Sequence, residues 1–220
     1  MTTLHLRANR VWAGPWTCLL LCALPFSAAA KPISYVGGTM VMVENDETGN
    51  TLNIDYTFSP RAAAALYVKH EIQGNVFTAV GPQINYLVKR WNMPDGQGNV
   101  FTMSGAGTAI ENSGKSHFAA WTGVLADYET RRIFTSYELR LMYAQNIETS
   151  VWQRARVGFA PYLANYEDLN TWFMVQVDHH PDKTHATTVT PLVRLFYKTL
   201  LVEGGVSTRG TAMINLVKQF

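Results

Sequence analysis

The feature that most constrains this chain is the alternation of apolar and polar residues, which recurs in short runs from Tyr35 to Phe220. A period of two residues is typical of β-strands, because successive side chains of a strand point to opposite faces. The region contains no convincing amphipathic helix, in which apolar residues would recur every three or four positions. The sequence therefore predicts an all-β fold.

Turn-like clusters separate the runs and predict about twelve strands, with ten as the alternative count. The predicted strands cover residues 35–44, 51–59, 63–71, 76–91, 99–110, 117–128, 133–144, 151–163, 170–178, 186–197, 200–207 and 211–220. An even count returns both ends of the chain to the same end of a closed barrel. With Lys31 on the periplasmic side, the opposite connections are all short, at 45–50, 72–75, 111–116, 145–150, 179–185 and 208–210.

The predicted strand at 133–144 distinguishes two faces, one mostly apolar and one charged. Thr135, Tyr137, Leu139, Leu141 and Tyr143 alternate with Ser136, Glu138, Arg140 and Met142. In a soluble sandwich or a lipocalin-like barrel, the apolar face would be buried and the polar face would contact water. In an outer-membrane barrel, the apolar face contacts lipid and the polar face lines the lumen.

Three features favour the membrane barrel. Several runs have the length of about ten residues that a tilted strand needs to cross a bilayer, and Tyr and Trp lie near strand ends. The last run ends in Phe220, a terminal aromatic residue typical of outer-membrane barrels, although Lys218 occupies a position that is usually apolar. The predicted fold is a single antiparallel up-and-down transmembrane β-barrel. Its expected partners are outer-membrane lipid and the barrel-assembly machinery, which would recognise the C-terminal strand.

Residues 1–30 have the three parts of a secretory signal peptide. Arg7 and Arg10 give a basic start, residues 18–26 are apolar, and residues 27–30 form a small-residue cleavage site. We therefore expect export, cleavage before Lys31 and one barrel domain over 31–220. A lipid anchor on Cys22 is the alternative, but Leu21 stands where a small residue is expected.

The exported part would contain no cysteine and no net charge. Cys18 and Cys22 both precede Lys31, and loss of Arg7 and Arg10 brings the formal net charge from +2 to zero. A neutral, cysteine-free chain depends on its fold alone for stability. Its charge does not indicate a nucleic-acid partner.

Several stretches resemble a family of uncharacterised proteobacterial outer-membrane proteins. These stretches are residues 89–92 with 99–101, 127–132, 160–162, 171–173 and 192–196, and the likeness extends over most of the exported chain. The resemblance implies an outer-membrane barrel without an established activity. It also implies an association with genes for heavy-metal and copper handling.

If the apolar faces contact lipid, a set of charged side chains points into the lumen: Glu138, Arg140, Arg154, Arg156, Asp178, Arg194 and Glu203. Pairing across the 145–150 connection places Glu138 opposite Arg156 and Arg140 opposite Arg154. A neighbouring strand or water must then supply an acid for the two arginines. Across the turn at residues 198–199, Arg194 lies opposite Glu203. These charges either stiffen a filled barrel, which we favour, or line a selective pore.

Residues 178–185 bring three histidines and two aspartates into one connection: Asp178, His179, His180, Asp182 and His185. Imidazole and carboxylate suit copper or zinc, so a metal-binding surface protein is the alternative function. The spacing matches no closed structural site, and a polar turn explains the composition equally well. We therefore expect no resident cofactor.

A lipid-modifying enzyme is the third interpretation, because some small barrels use a serine, a histidine and an acid at the lipid interface. Here His70 lies beside Glu71, and Ser116 beside His117. Adjacent residues of a strand point to opposite faces, and no serine lies in a nucleophile elbow. The leading prediction is a non-enzymatic outer-membrane barrel that acts as a narrow channel or a structural barrel.

Overall fold

The computed structural model describes residues 31–183 and 185–220, so the predicted signal peptide at 1–30 lies outside the described residues. The described chain forms twelve strands: β1 (Thr39–Asn45), β2 (Gly49–Ser59), β3 (Ala62–Glu71), β4 (Phe77–Met93), β5 (Gly96–Glu111), β6 (Ser116–Thr130), β7 (Ile133–Ala144), β8 (Glu148–Phe159), β9 (Asn170–His179), β10 (Thr187–Tyr197), β11 (Leu200–Val206) and β12 (Ala212–Gln219). No helix in this part of the chain is long and apolar enough to cross a membrane.

All twelve strands belong to one closed barrel. Each strand pairs antiparallel with its neighbours in sequence, and β1 pairs with β12 to close the sheet. At the seam, the Phe220 N–H donates to the Thr39 carbonyl at 2.8 Å. Closure leaves no unpaired sheet edge. The predicted all-β, up-and-down barrel and its count of twelve are confirmed.

Strand boundaries differ from the prediction mainly at two places. β1 begins at Thr39 rather than at 35, because the Gly38 N–H donates to the Tyr35 carbonyl at 3.0 Å and Gly37 has a φ of 86°. β8 ends at Phe159 rather than at 163. Pro161 lies two residues beyond this end, and proline has no backbone N–H with which to continue the hydrogen bonds between strands.

The predicted register between β7 and β8 is wrong by two residues. Glu138 lies opposite Arg154, Ser136 opposite Arg156, and Arg140 opposite Trp152. The connection is only 145–147, since Asn146 adopts a φ of 61° and completes a tighter turn than the predicted 145–150. No pair of arginines therefore lies face to face across these two strands.

The outward and inward faces follow the predicted alternation. On β2, for example, Tyr56 and Phe58 are 52% and 51% exposed, whereas Asp55 and Thr57 are 1% and 0% exposed. The interior also holds apolar side chains between its polar ones. The Tyr67 ring packs at 4.9 Å from the Trp121 ring, and another cluster includes Phe134, Trp172, Met174, Leu192 and Met213. The lumen is thus partly filled by aromatic and methionine side chains.

Candidate functional site: the interior of the barrel

Arg154 on β8 is the most highly connected charge of the interior. Its Nε donates to Asp178 Oδ1 at 2.7 Å, and its Nη2 donates to Asp46 Oδ2 at 2.9 Å. Its Nη1 lies 3.5 Å from Glu44 Oε2, and its guanidinium stacks 4.4 Å from the centre of the Trp152 ring. These carboxylates come from β9, from β1 and from the turn after β1. Buried charges of this kind are stable only when they are paired in this way.

Glu203 on β11 forms a second centre. It accepts hydrogen bonds from Arg194 Nε and Asn215 Nδ2, both at 2.7 Å, and lies 3.5 Å from Arg156 Nη1. Arg194 and Glu203 lie directly opposite each other, as the turn at 198–199 predicts. Arg156 Nε also donates to Gln176 Oε1 at 2.7 Å. One carboxylate therefore serves residues of β8, β10 and β12.

Arg140 takes its acid from its own strand. Its Nε donates to Glu138 Oε1 at 2.5 Å, two residues away on the same inward face of β7. The seven charged residues predicted for the lumen thus all face inward, and the acids that complete the network are Glu44 and Asp46. The sequence analysis missed these two acids because they lie more than a hundred positions from Arg154.

The wall formed by β2 to β6, across the lumen from the arginines, carries amide side chains around one carboxylate. Asp55 accepts a hydrogen bond from Asn53 at 2.5 Å and another from Asn85, and it forms no salt bridge within the described residues. Gln83 donates to Asn85 at 2.8 Å and accepts from Trp121 Nε1 at 2.8 Å. A chain of hydrogen bonds through amide groups, one carboxylate and one indole therefore links β2, β4 and β6. The sequence analysis did not predict it.

Two small cavities lie within the lumen. One of about 40 Å³ is lined by residues that include Thr51, Tyr67 and Trp121, and one of about 60 Å³ by residues that include Asn53, Met103 and Phe134. Glu44, Arg140 and Arg154 line both cavities and separate them. A single water needs about 10–15 Å³ of such space, so each cavity has room for only a few waters.

The segment after the predicted cleavage site enters the barrel at the end where β1 begins and β12 ends. Lys31 Nζ donates to Gln97 at 3.1 Å and lies 3.5 Å from Glu129 Oε2. The Pro32 carbonyl accepts a hydrogen bond from Asn85 at 3.2 Å. Ile33 is 6% exposed and packs in a cluster with Ala63, Leu87 and Phe101. We call residues 31–34 the plug segment, since they lie across this mouth.

At the opposite mouth, the turn at 46–48 folds over the lumen. Asp46 reaches Arg154 on β8, which is five strands from β1 in one direction and seven in the other. Glu47 accepts a hydrogen bond from Thr188 on β10 and lies 3.5 Å from Arg209 Nη1. Burial alone would raise the pKa of Asp46, but Arg154 and Thr48 hold that pKa below its ordinary value. We call residues 46–48 the lid turn.

The five residues of the predicted metal site are divided between two environments. Asp178 and His180 are buried, at 6% and 7% exposure, and Asp178 is paired with Arg154. His179 Nδ1 lies 3.0 Å from Thr187 Oγ1, and Asp182 Oδ2 accepts from the Val151 N–H at 3.1 Å. Burial and the nearby Lys69 lower the pKa of His180 to about 4.

No group of three or more metal-ligating side chains comes together within 31–183 and 185–220. Thr184, inside this connection, lies outside the described residues. Binding of copper or zinc here stays a prediction.

The serine and histidine pairs considered for catalysis are separated. His70 Nδ1 lies 3.0 Å from Thr78 Oγ1, while Glu71 Oε2 lies 2.8 Å from Lys69 Nζ. His117 Nε2 lies 2.9 Å from Glu111 Oε1, and the second oxygen of Glu111 accepts from Ser113. Among the described residues, no serine hydroxyl is hydrogen-bonded to a histidine ring.

No protein-family model matches the chain, and no curated protein matches it. Three solved structures are similar to it in fold. A KdgM porin in complex with disordered oligogalacturonate has a TM-score of 0.48 at 13% identity, over 83% of this chain and 98% of that one. A second KdgM porin structure has a TM-score of 0.46 at 13% identity over the same shares. LpxR from Salmonella typhimurium has a TM-score of 0.44 at 9% identity, over 83% of this chain and 99% of that one. The association with metal-handling genes finds no support in these comparisons.

Proposed function

We propose that this protein is an integral, non-enzymatic barrel of the bacterial outer membrane whose narrow polar lumen is a channel held closed. The observation that carries the membrane location is the outer surface. Each of the twelve strands exposes at least one large apolar side chain, including Val43, Leu66, Ile84, Val124, Val175 and Leu216. Monomeric soluble proteins rarely expose a continuous apolar patch larger than a few hundred Å².

A paired substitution on β7 tests the location. Leu139 faces outward and Ser136 faces the 60 Å³ cavity. A charge at the bilayer midplane costs about 2–4 kcal/mol on the lipid face and far less toward a lumen. Leu139→Arg should therefore reduce the fraction of heat-modifiable, folded protein in the outer-membrane fraction, and Ser136→Arg should reduce it less. Equal tolerance, or recovery of the wild-type protein as a soluble periplasmic species, would contradict a membrane barrel.

The segments at the two mouths of the barrel favour a closed channel over a purely structural barrel. The plug segment and the lid turn close the two mouths, and neither is part of a strand. Displacing the plug segment breaks no strand pairing, and displacing the lid turn breaks one backbone bond, from the Ile72 N–H to the Thr48 carbonyl, beyond the last β2–β3 pair. Between them, only side chains separate the two cavities.

Conductance in a planar bilayer tests the channel. We expect the wild-type barrel to be closed for most of the recording. The combined change Asp46→Ala, Glu47→Ala and Ile33→Asp should produce frequent current steps, because it removes the bonds of the lid turn and puts a charge into the apolar site of the plug segment.

Glu111→Gln is the matched control, since Glu111 ends β5 at the same mouth and its side chain bonds, among the described residues, within its own hairpin, to Ser113 and His117. A folded combined variant that conducts no better than wild type would rule out the channel and leave the structural barrel.

A further inference from the structure

An apolar groove of about 540 Å³ crosses the outer face of β7 to β11. Its lining includes Ile133, Val157, Phe159, Phe173, Val193 and Gly204. Gly204 is the only outward-facing residue of β11 without a side chain, and a Cβ built on it would meet no atom within 4 Å. Its cross-strand partners Val193 and Ile214 are both exposed. The glycine therefore leaves a depression in an otherwise covered apolar surface.

The groove has a direction relative to the barrel axis. It starts at Ile133, the first residue of β7, and reaches Gly204, the fifth residue of β11. The rings of Phe159 and Phe173, 5.8 Å apart, lie along it. Because the strands of a membrane barrel are tilted, this row leads from the rim of the barrel toward the interior of the membrane. That is the path of an acyl chain whose head group lies at the rim.

A basic rim adjoins the start of the groove. Arg132 Nη2 donates to the Pro161 carbonyl at 2.8 Å and Nε donates to the Ala160 carbonyl at 3.3 Å. Arg131 Nη2 lies 3.5 Å from the Ala164 carbonyl. Both guanidinium groups thus lie along the segment that follows Phe159. Neither forms a salt bridge with a carboxylate in the part of the chain that the structure describes. Arginine is well suited to bind phosphate through several N–H groups.

We propose that this groove binds an anionic phospholipid of the periplasmic leaflet, with one acyl chain along Phe159 and Phe173 toward Gly204 and the phosphate at Arg131 and Arg132. The proposal rests on the proposed membrane location, because only a barrel in a bilayer meets such a lipid. The apolar lining selects the chain, and the two arginines select the negative head group.

Native mass spectrometry of the detergent-solubilised, full-length exported chain tests the site, with dioleoyl phosphatidylglycerol as the probe and the corresponding phosphatidylcholine as the neutral comparison. We expect one phosphatidylglycerol to remain bound when the micelle is removed, with at least tenfold higher occupancy than phosphatidylcholine. Gly204→Leu should lower this occupancy at least tenfold, because leucine fills the depression. Arg131→Gln with Arg132→Gln should lower it to the level of phosphatidylcholine.

Val202→Leu is the control, since Val202 faces outward on the same strand but does not line the groove. Unchanged occupancy in Gly204→Leu, or an equal loss in Val202→Leu, would overturn the site. Heat-modifiable migration of every variant is measured in parallel. A barrel that folds and inserts but binds no lipid contradicts only this site, whereas failure to insert contradicts the membrane location itself.

Discussion

The two halves of the lumen hold polar side chains in different ways. In the half formed by β7 to β11, Arg154, Arg194 and their carboxylates are paired across strands. In the half formed by β2 to β6, ion pairs such as Lys69–Glu71 lie toward the mouths, and between the mouths the amides of Asn53 and Asn85 surround Asp55, which has no salt bridge among the described residues. We call these the charged half and the amide half.

Because of this difference, the stability of the two halves should respond differently to the loss of a single side chain. In the charged half, Arg154 is shared by carboxylates from three segments and Glu203 by arginines from two strands, so loss of either centre leaves buried charges without compensation. In the chain of the amide half no cation is buried, and each bond between its neutral groups contributes only about 1 kcal/mol. Substitutions of similar size should therefore cost more in the charged half.

The largest effect is expected for Arg154→Ala. This change removes the partner of Asp178 and Asp46 and the cation over the Trp152 ring. Breaking a buried ion pair from one side costs about 3–5 kcal/mol, and we expect a loss of this order in the free energy of unfolding. Urea unfolding in lipid vesicles, followed by tryptophan fluorescence, measures it. A loss below about 1 kcal/mol would mean that the carboxylates are solvated and that the charged half is not a packed network.

A pair of isosteric changes compares the halves directly. Asp178→Asn weakens a charge-assisted bond to Arg154 and should cost about 1.5–3 kcal/mol. Asp55→Asn costs one of the two bonds from Asn53 and Asn85 but strands no cation, and should cost less than Asp178→Asn. The same unfolding assay applies to both variants. Equal costs would remove the distinction between the two halves.

The mouth of the charged half should also be sensitive to acid. The folded-state pKa of His180 is lowered to about 4 by burial and by Lys69, whereas an unfolded histidine titrates near 6.5. Between these values the unfolded chain binds a proton that the folded chain does not, so stability falls as pH falls. We expect wild type to lose about 1–2 kcal/mol between pH 7 and pH 5. His180→Gln should lose less over that interval, and an identical pH dependence would exclude His180 as its source.

Local patterns in the sequence predicted the strands and the two faces but not the contacts between distant strands. Alternation in the stretch around Glu138 and Arg140 is a property of neighbouring residues, and it identified both as inward. It could not detect the error at the 145–147 turn, because a shift of two residues leaves every side chain on the same face. The bonds of Asp46 to Arg154 and of Lys31 to Gln97 join residues 108 and 66 positions apart. No periodicity of the sequence encodes such contacts.

The smallest effect is expected at the connection after β9, where the charged half and the predicted metal site share Asp178. Because Asp178 is bonded to Arg154 and His180 is buried, only His179, Asp182 and His185 remain accessible to copper or zinc. Two imidazoles on a surface turn bind a transition metal weakly, and acid must weaken the binding further, because protonated imidazole cannot ligate.

Calorimetric titration of the refolded barrel with each metal, at two pH values, measures this binding. His179→Ala with His185→Ala should abolish whatever heat the wild type gives, whereas His180→Gln should leave it unchanged. Loss of binding in His180→Gln would show that His180 leaves its buried position to ligate the metal. In that case the buried residues of the charged half and the accessible residues of the surface turn would not be separate sites.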